Sequence, residues 1–345
     1  MRTKYLHIKA GKNIYERLMD KGLRVEDIRI FAGAAGGPKW IPLYYLDKYL
    51  MQHFLKNHEQ TIDFYGTSIG AWRSLAHVLP KPVAALDRLA EVYINQRYSL
   101  EPSWSEVSAG CYKIVEQTLN NQHEAILNST KRRLHIGVTS ASFEALQMSE
   151  NQIKRKFLNI AIRQITRRKS TNRLIQRVTY SNTDSILNDD GIAARHFPLN
   201  EENLLPALQA SGAIPMIMNP VRIDGVDCWD GGMVDYHLDL KYQTDGVVFQ
   251  PHFFSYIKPG WFDKYTRFRY SKHHHNTLLL YPSDEFVRLL PNQKLTETKD
   301  FYTYMNDTDK RIEVWLKAKE LGRLLAEDFE RLLDLEVFRE SLGRF

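Results

Sequence analysis

The sequence contains little cysteine and no long hydrophobic run. Cys111 and Cys228 are the only cysteines in 345 residues, which excludes a disulfide framework and is typical of a reducing compartment. The first nine residues lack the apolar core of a secretory signal, and no run approaches the roughly 18 apolar residues of a transmembrane helix. We therefore expect a cytoplasmic protein that is able to contact membranes peripherally.

The composition is that of a folded globular chain. Hydrophobic residues make up 43% and charged residues 26%, which excludes collagen-like and intrinsically disordered proteins. The formal net charge of +6 favours anionic partners such as a membrane surface or a nucleic acid. The length allows one large domain or about two ordinary ones.

Predicted strands and helices alternate along the chain. Strands that run into turns or helices are predicted at Ile28–Ala32, Ile62–Tyr65 and Leu134–Thr139, and later strands at Arg177–Ser181, Gly246–Phe249 and Leu278–Tyr281. A single C-terminal helix is predicted to carry one apolar stripe formed by Ile312, Trp315, Leu316, Leu324, Leu325, Phe329 and Leu332. This alternation favours an α/β fold with a central, mainly parallel sheet and helices on both faces.

A candidate nucleophile lies between the second predicted strand and a helix. The segment Gly66-Thr67-Ser68-Ile69-Gly70 matches the pattern G-x-S-x-G in the context that this pattern requires. The glycines permit a sharp turn in which a strained serine presents its hydroxyl at the carboxyl end of the sheet. Free N–H groups at the helix start would stabilise developing negative charge. The alternative is a tight turn whose serine is merely hydrogen-bonded.

A nucleophilic serine needs a base, and both histidines and an aspartate follow it. His237, His252 and His273–His275 lie in no recognisable motif, and the three consecutive histidines are better interpreted as a polar loop than as a metal cluster. Asp230 precedes Gly231 and Gly232, a combination that is typical of a sharp turn with the carboxylate at its entrance. We therefore favour Asp230 as the partner of the serine.

The order of these motifs resembles that of a patatin-like phospholipase domain. That family joins a G-G-G-x-(Arg or Lys)-G turn, a G-x-S-x-G elbow and a D-G-(Gly or Ala) turn, with an A-S-x-A-I-P stretch before the last. All four occur here in this order between about Ile28 and Asp235, the third at Ala210–Pro215. The resemblance implies a three-layer α/β/α fold. It also implies a Ser68–Asp230 dyad without a catalytic histidine, in which Asp230 takes the serine proton during attack on an ester.

The resemblance also gives roles to the turn at residues 35–40. It implies that the backbone N–H groups of Gly36 and Gly37 bind the oxyanion, together with the N–H of Ile69. Lys39 matches the basic position of the family turn, where it would steady the loop or bind a lipid phosphate.

Two residues of this turn depart from the family pattern. Ala35 and Trp40 replace glycines at the two ends of the turn, and Pro38 has no N–H to donate. These departures leave open the alternative that the turn only packs a strand against a helix.

The segment Ile153–Arg177 is strongly basic and contains no acidic residue. Its cations are Lys154, Arg155, Lys156, Arg163, Arg167, Arg168, Lys169, Arg173 and Arg177, and a partial apolar face is formed by Ile153, Phe157, Ile160 and Ile165. We interpret it as a solvated helix and loop inserted between core strands, and contact with anionic lipid headgroups is the alternative. Nucleic-acid binding through Arg167, Arg168 and Lys169 ranks last, because no nucleic-acid motif is present.

The segment Gln250–Lys272 interleaves aromatic and basic side chains. These are Phe253, Phe254, Tyr256, Trp261, Phe262, Tyr265, Phe268 and Tyr270, with Lys258, Lys264, Arg267 and Arg269. We favour a cap that buries the aromatic rings over the sheet, and a membrane–water boundary is the alternative.

These observations predict one patatin-like acyl hydrolase domain over residues 24–285, with a helical insertion at about 150–177 and a packed helical extension over 286–345. The resemblance implies a serine acyl hydrolase that acts on phospholipid or lysophospholipid esters. We expect no metal, nucleotide or redox cofactor, because no clustered ligand spacing and no Walker turn occurs. We also expect no nucleic-acid partner. A thioesterase or acyltransferase with the same dyad, or a non-catalytic lipid-binding protein of this fold, are the alternatives.

Overall fold

A computed structural model describes residues 2–166, 171, 173–266 and 269–345. In this part of the chain the strands are β1 Leu6–Ala10, β2 Ile28–Gly33, β3 Ile62–Thr67, β4 Arg132–Ala141, β5 Ile175–Ser181, β6 Ala194–Pro198, β7 Val221–Ile223, β8 Val226–Asp230, β9 Val247–Pro251, β10 Thr277–Pro282 and β11 Leu342–Arg344. The helices are α1 Tyr15–Lys21, α2 Tyr44–Tyr49, α3 Ile69–Val78, α4 Pro82–Ile94, α5 Trp104–Leu119, α6 His123–Leu127, α7 Glu150–Thr166, α8 Leu204–Ser211, α9 Asp284–Leu289, α10 Asp300–Thr303, α11 Thr308–Leu321, α12 Arg323–Arg331 and α13 Leu335–Ser341.

All the strands join one sheet that is parallel at its centre and mixed at its sides. The strand order is β11-β1-β10-β9-β2-β3-β4-β5-β6, and β8 pairs with both β4 and β7. The neighbours from β10 to β4 run parallel, whereas β1 against β10 and β5 against β4 are antiparallel. The predicted α/β fold, with a mainly parallel sheet flanked by helices, is therefore confirmed.

The central strands are buried on both faces. Every residue of β3 and of β10 is buried, as expected for parallel strands that are covered on two sides. On one face Phe31 stacks on Phe64 with ring centroids 5.3 Å apart in the main core. On the other face Tyr65 joins a smaller apolar cluster with Leu238 and Leu240, which follow β8.

The six predicted strands are all present, as β2, β3, β4, β5, β9 and β10. Five further strands, β1, β6, β7, β8 and β11, were not predicted. Two of them, β7 and β11, have only three residues, and β6 is exposed or half-buried along its whole length. Short strands and edge strands carry little apolar periodicity, so the sequence pattern alone does not reveal them.

The C-terminal apolar stripe belongs to two helices, so the prediction of a single helix is wrong. The helices α11 and α12 meet at Gly322, where a Cβ atom would lie 2.2 Å from the carbonyl oxygen of Pro42. Trp315 and Phe329 are buried in the main core as predicted. Leu316, however, is 41% exposed and does not belong to the buried stripe. The division of the chain at residue 285 remains a prediction.

The basic segment begins with a helix, but one of its cations belongs to the core. The apolar face of α7 packs against residues of β8 and the turn that follows it. Arg177 in β5 is buried and donates hydrogen bonds to the carboxylates of Asp190 and Asp235. The assignment of Arg177 to a basic surface is therefore wrong. A buried guanidinium needs carboxylate partners such as these, so Arg177 belongs to the core. Arg167, Arg168 and Lys169 lie outside the described residues.

The aromatic segment is partly buried and partly exposed. Phe253 and Phe262 are buried, as the cap interpretation predicts, whereas Tyr256 and Tyr270 are exposed. Contact of this segment with a membrane remains a prediction. Arg267, Phe268 and the side chain of Tyr265 lie outside what the structure describes. Within the described ranges, no helix combines the length and the apolar character needed to cross a bilayer.

Candidate active site

Ser68 occupies the sharp turn from β3 into α3. Its backbone has φ 55° and ψ −133°, a strained conformation for a residue with a side chain. The Ser68 N–H donates to the Ser211 hydroxyl over 2.8 Å, and that hydroxyl donates to the carbonyl oxygen of Gly137 over 2.7 Å. Ser211 is the serine of the A-S-x-A-I-P stretch, to which the sequence analysis assigned no role. It anchors the strained turn to β4.

The turn depends on close backbone packing at Gly70. A Cβ atom on Gly70 would lie 1.8 Å from the carbonyl oxygen of Gly33 in β2. Real Cβ atoms do not approach a backbone oxygen so closely, so the second glycine of G-x-S-x-G allows α3 to lie against the sheet.

Substitution of Gly70 by alanine is expected to destabilise the fold strongly. The added methyl group cannot avoid the Gly33 carbonyl, so we expect the free energy of unfolding to fall by about 3 kcal/mol or more. Gly225→Ala is the matched control, because Gly225 has φ +77° with open space around a Cβ. Backbone strain alone should lower its free energy of unfolding by only about 1 kcal/mol. Equal losses in urea titrations of the two variants would contradict the packing argument.

Asp230 ends β8 beside the serine. The strand places it opposite Val138 of β4. Its carboxylate accepts a hydrogen bond of 2.7 Å from the N–H of Gly232. The Ser68 side chain lies close enough to influence its ionisation. Burial raises the pKa of Asp230 to about 7, although the Ser68 side chain and the N–H of Gly232 act in the opposite direction. A carboxylate that titrates near neutral pH is a much stronger base than a free aspartate, whose pKa is about 3.9.

Three residues that line the cavities at Ser68, namely Gly36, Gly37 and Ile69, have backbone N–H groups without an acceptor among the described residues. No hydrogen bond leads from the N–H of Gly36 or Gly37 to another described residue. Ile69 is the first residue of α3, where the N–H has no acceptor within the helix. Gly37 has φ +56°, and a Cβ there would lie 2.8 Å from the Thr298 hydroxyl, so this position requires glycine.

Two cavities meet at Ser68. One is lined mainly by apolar side chains, among them Trp72, Val107, Ile114, Ile217, Met218 and Phe301. The other is lined by Asp230 and by three lysines, Lys39, Lys264 and Lys299. The serine therefore lies at the junction of an apolar cavity and a cationic one, which we call the lysine cavity.

Residues 63–237, which include Ser68 and Asp230, match the family model described as patatin-like phospholipase. This match covers just over half of the chain. The chain belongs to the patatin-like phospholipase family. Membership indicates lipid acyl hydrolase activity. A comparison with curated proteins finds no match.

The two departures from the patatin-like glycine turn are accommodated by their neighbours. Ala35 donates its N–H to the carbonyl oxygen of Tyr236 over 2.9 Å, and its methyl group faces Gly232, where a second Cβ would not fit. Trp40 is completely buried, with its ring edge-on to Tyr93. Neither substitution removes the N–H groups of the two glycines between them.

The histidines that were weighed as alternative bases contact other groups. His237 and His252 lie edge to face with ring centroids 4.4 Å apart, and both contact Phe253. Burial lowers the pKa of His252 to about 3. No contact among the described residues joins either ring to Ser68. No group of three or more His, Cys, Asp or Glu in the described ranges is placed to hold a metal ion.

A buried ion pair on the nucleophile helix was missed by the sequence analysis. Arg73 of α3 donates two hydrogen bonds of 2.8 Å to the Asp47 carboxylate, and neither side chain is exposed. The pair joins α3 to α2 beneath the patatin-like elbow. An arginine and an aspartate 26 residues apart give no local signal of this contact.

Proposed function

We propose that this patatin-like chain is a serine acyl hydrolase that cleaves phospholipid or lysophospholipid carboxyl esters through a Ser68–Asp230 dyad. The observation that supports this most directly is a strained Ser68 beside a buried Asp230 carboxylate, at the junction of an apolar and a cationic cavity. Family membership supports the lipid acyl hydrolase chemistry, and the dyad and the ester class are our proposal.

In the first step, the Asp230 carboxylate takes the hydroxyl proton as Ser68 Oγ bonds to the ester carbonyl carbon. Negative charge develops on the carbonyl oxygen. The N–H groups of Gly36, Gly37 and Ile69 would donate hydrogen bonds to that oxygen and so stabilise the transition state.

In the second step, the bond from the carbonyl carbon to the leaving oxygen breaks. The protonated Asp230 carboxyl gives its proton to the leaving alcohol, and the acyl group remains esterified to Ser68. Water then loses a proton to Asp230 and attacks the acyl-enzyme. The fatty acid is released as Ser68 regains the proton from Asp230.

The apolar cavity would hold the acyl chain during both steps. Each buried methylene of a substrate contributes about 0.8 kcal/mol to binding. Trp72 and Ile114 line this cavity, and both belong to helices that pack around the elbow. Esters of long fatty acids should therefore bind more tightly than acetates.

The direct test is capture of the acyl-enzyme. Mixing the protein with p-nitrophenyl decanoate should give a burst of p-nitrophenol and a mass increase of one decanoyl group, located by peptide mapping on Ser68. Adding an alcohol acceptor distinguishes hydrolysis from transfer, because a transferase would form the ester of that alcohol. Binding of lipid vesicles without any acylation of Ser68 would contradict the proposal and favour a non-catalytic lipid-binding protein.

A further inference from the structure

Arg311 of α11 is a buried cation without a carboxylate partner. In the described ranges three arginine side chains are buried, those of Arg73, Arg177 and Arg311. Arg73 binds one carboxylate and Arg177 binds two, each at 2.8 Å or less. Arg311 is only 2% exposed, yet no carboxylate of a described residue lies within salt-bridge distance of it. An uncompensated buried charge is costly for a fold, so this guanidinium requires an explanation.

The groups around Arg311 hold the guanidinium without neutralising it. One terminal nitrogen, Nη2, donates to the backbone carbonyl oxygen of Gln96, whereas Nη1 has no acceptor among the described residues. The guanidinium carbon lies 4.5 Å and 4.4 Å from the ring centroids of Phe301 and Trp315. The Asp300 carboxylate is engaged by the Trp315 indole N–H, over 3.0 Å, and by a lysine. Burial lowers the pKa of Arg311 to about 10, so the side chain stays charged at neutral pH.

The cavity that Arg311 lines is the apolar one that opens on Ser68. Tyr93 lines the same cavity and connects its two ends. A Cβ on Gly37, in the glycine turn, would lie 3.7 Å from the Tyr93 hydroxyl, and the Tyr93 ring stacks on Trp315 with centroids 6.0 Å apart. The guanidinium therefore lies deeper in the cavity than the turn beside the serine, where an acyl chain attached to Ser68 would extend.

Resting on the proposed function, we infer that Arg311 binds a carboxylate at the far end of the substrate's acyl chain, so that the enzyme prefers half esters of aliphatic dicarboxylic acids. A planar guanidinium matches a carboxylate in geometry as well as in charge, because its N–H groups can donate to both oxygens. The remaining wall of the cavity is mainly apolar, which suits the methylene chain between the ester and the carboxylate.

The test compares two esters that differ only at the far end of the acyl chain. The mono-p-nitrophenyl ester of sebacic acid ends in a carboxylate where p-nitrophenyl decanoate ends in a methyl group. We expect wild-type kcat/KM for the sebacate half ester to exceed that for the decanoate by about 10-fold or more. An apolar cavity without a binding cation would instead reject the carboxylate, because desolvation of an unpaired charge is costly. Shorter and longer matched pairs are compared as well, since the chain length that reaches Arg311 should give the largest preference.

Three variants test the assignment to Arg311. Arg311→Met removes the charge and keeps a long side chain against Trp315, so the ratio of the two kcat/KM values should fall by about 10-fold or more. Arg311→Lys keeps a charge and should retain part of the preference. Arg288→Met is the matched control and should retain all of it, because Arg288 is exposed on α9 and does not line the cavity. The ratio is measured within one protein, so a partial loss of folded enzyme cancels.

Each outcome separates the inference from the function on which it rests. A half ester that is hydrolysed no faster than its methyl-ended counterpart at any chain length would overturn the inference and leave the acyl hydrolase intact; this wild-type result stands even if Arg311→Met does not fold. A preference that survives in a folded Arg311→Met would overturn it too. Free decanoate carries the same group. Competitive inhibition by decanoate that Arg311→Met relieves, without a preference among the esters, would assign the carboxylate to a free fatty acid and overturn the substrate inference. Hydrolysis of no ester would overturn the proposed function together with the inference.

Discussion

Ser68→Ala is expected to lower kcat for a long-chain ester by at least about a thousand-fold. The variant loses the only atom that can form the acyl-enzyme, while the N–H groups and the Asp230 carboxylate remain. Fatty-acid release by purified protein, with the fold checked by circular dichroism, measures this loss. The burst of p-nitrophenol and the acyl mass increase should disappear together.

Ser74→Ala provides the matched control for this substitution. Ser74 lies on the same helix α3, is completely buried, and its hydroxyl has no hydrogen-bond partner among the described residues. Removing that hydroxyl breaks no hydrogen bond, so turnover should stay within about two-fold of wild type. Similar losses in both variants would mean that disturbance of α3, rather than loss of the nucleophile, explains the effect.

The elbow could be predicted from the sequence because all its parts are contiguous. A buried strand, two glycines and a serine lie within one short segment, and the geometry of the sharp turn requires each of them. Asp230 could be predicted only through its turn and the order of the motifs, since 162 residues separate it from Ser68. The strained φ of Ser68 and the raised pKa of Asp230 follow from tertiary packing.

The contacts that support the site could not be predicted from the sequence, because they too arise from tertiary packing. The hydroxyl of Ser211 reaches the Ser68 N–H only because α8 and β4 pack in a particular register. Lys264 reaches the lysine cavity from a turn that has no motif, and its segment was interpreted only as aromatic and basic. The break at Gly322 was missed because the apolar periodicity continues across it, although a backbone contact requires glycine there.

Asp230→Asn is expected to lower kcat by about 10²- to 10⁴-fold, the usual contribution of a general base. The amide keeps the shape of the side chain and cannot take the Ser68 proton. In the wild type, kcat/KM should rise with pH as the carboxyl ionises and level off above about pH 7, the pKa of Asp230. The residual kcat/KM of Asp230→Asn should not show this rise with pH. A wild-type profile without it, or an active Asn variant, would contradict the assignment of the base.

The same variant is expected to be more stable than the wild type at pH 8. The native pKa of about 7 lies above the unfolded value of about 3.9, so the native state holds the proton more tightly. Wild-type stability should therefore fall as pH rises from about 4 to 7 and stay reduced above that range, by a few kcal/mol at most. Asp230→Asn has no carboxylate to bury, so its advantage should be full above pH 7 and vanish near pH 4.

Asp227→Asn, three residues earlier on β8, should change stability in the opposite direction. Its buried carboxylate accepts hydrogen bonds from Arg222, over 2.8 Å, and from the backbone N–H of Leu146. The amide would weaken the ion pair, so this variant should lose stability at pH 8 and keep its activity. Thermal unfolding at pH 4 and pH 8 compares all three proteins. A more stable but inactive Asp230→Asn beside a less stable but active Asp227→Asn would identify Asp230 as a carboxylate whose burial serves the chemistry rather than the fold.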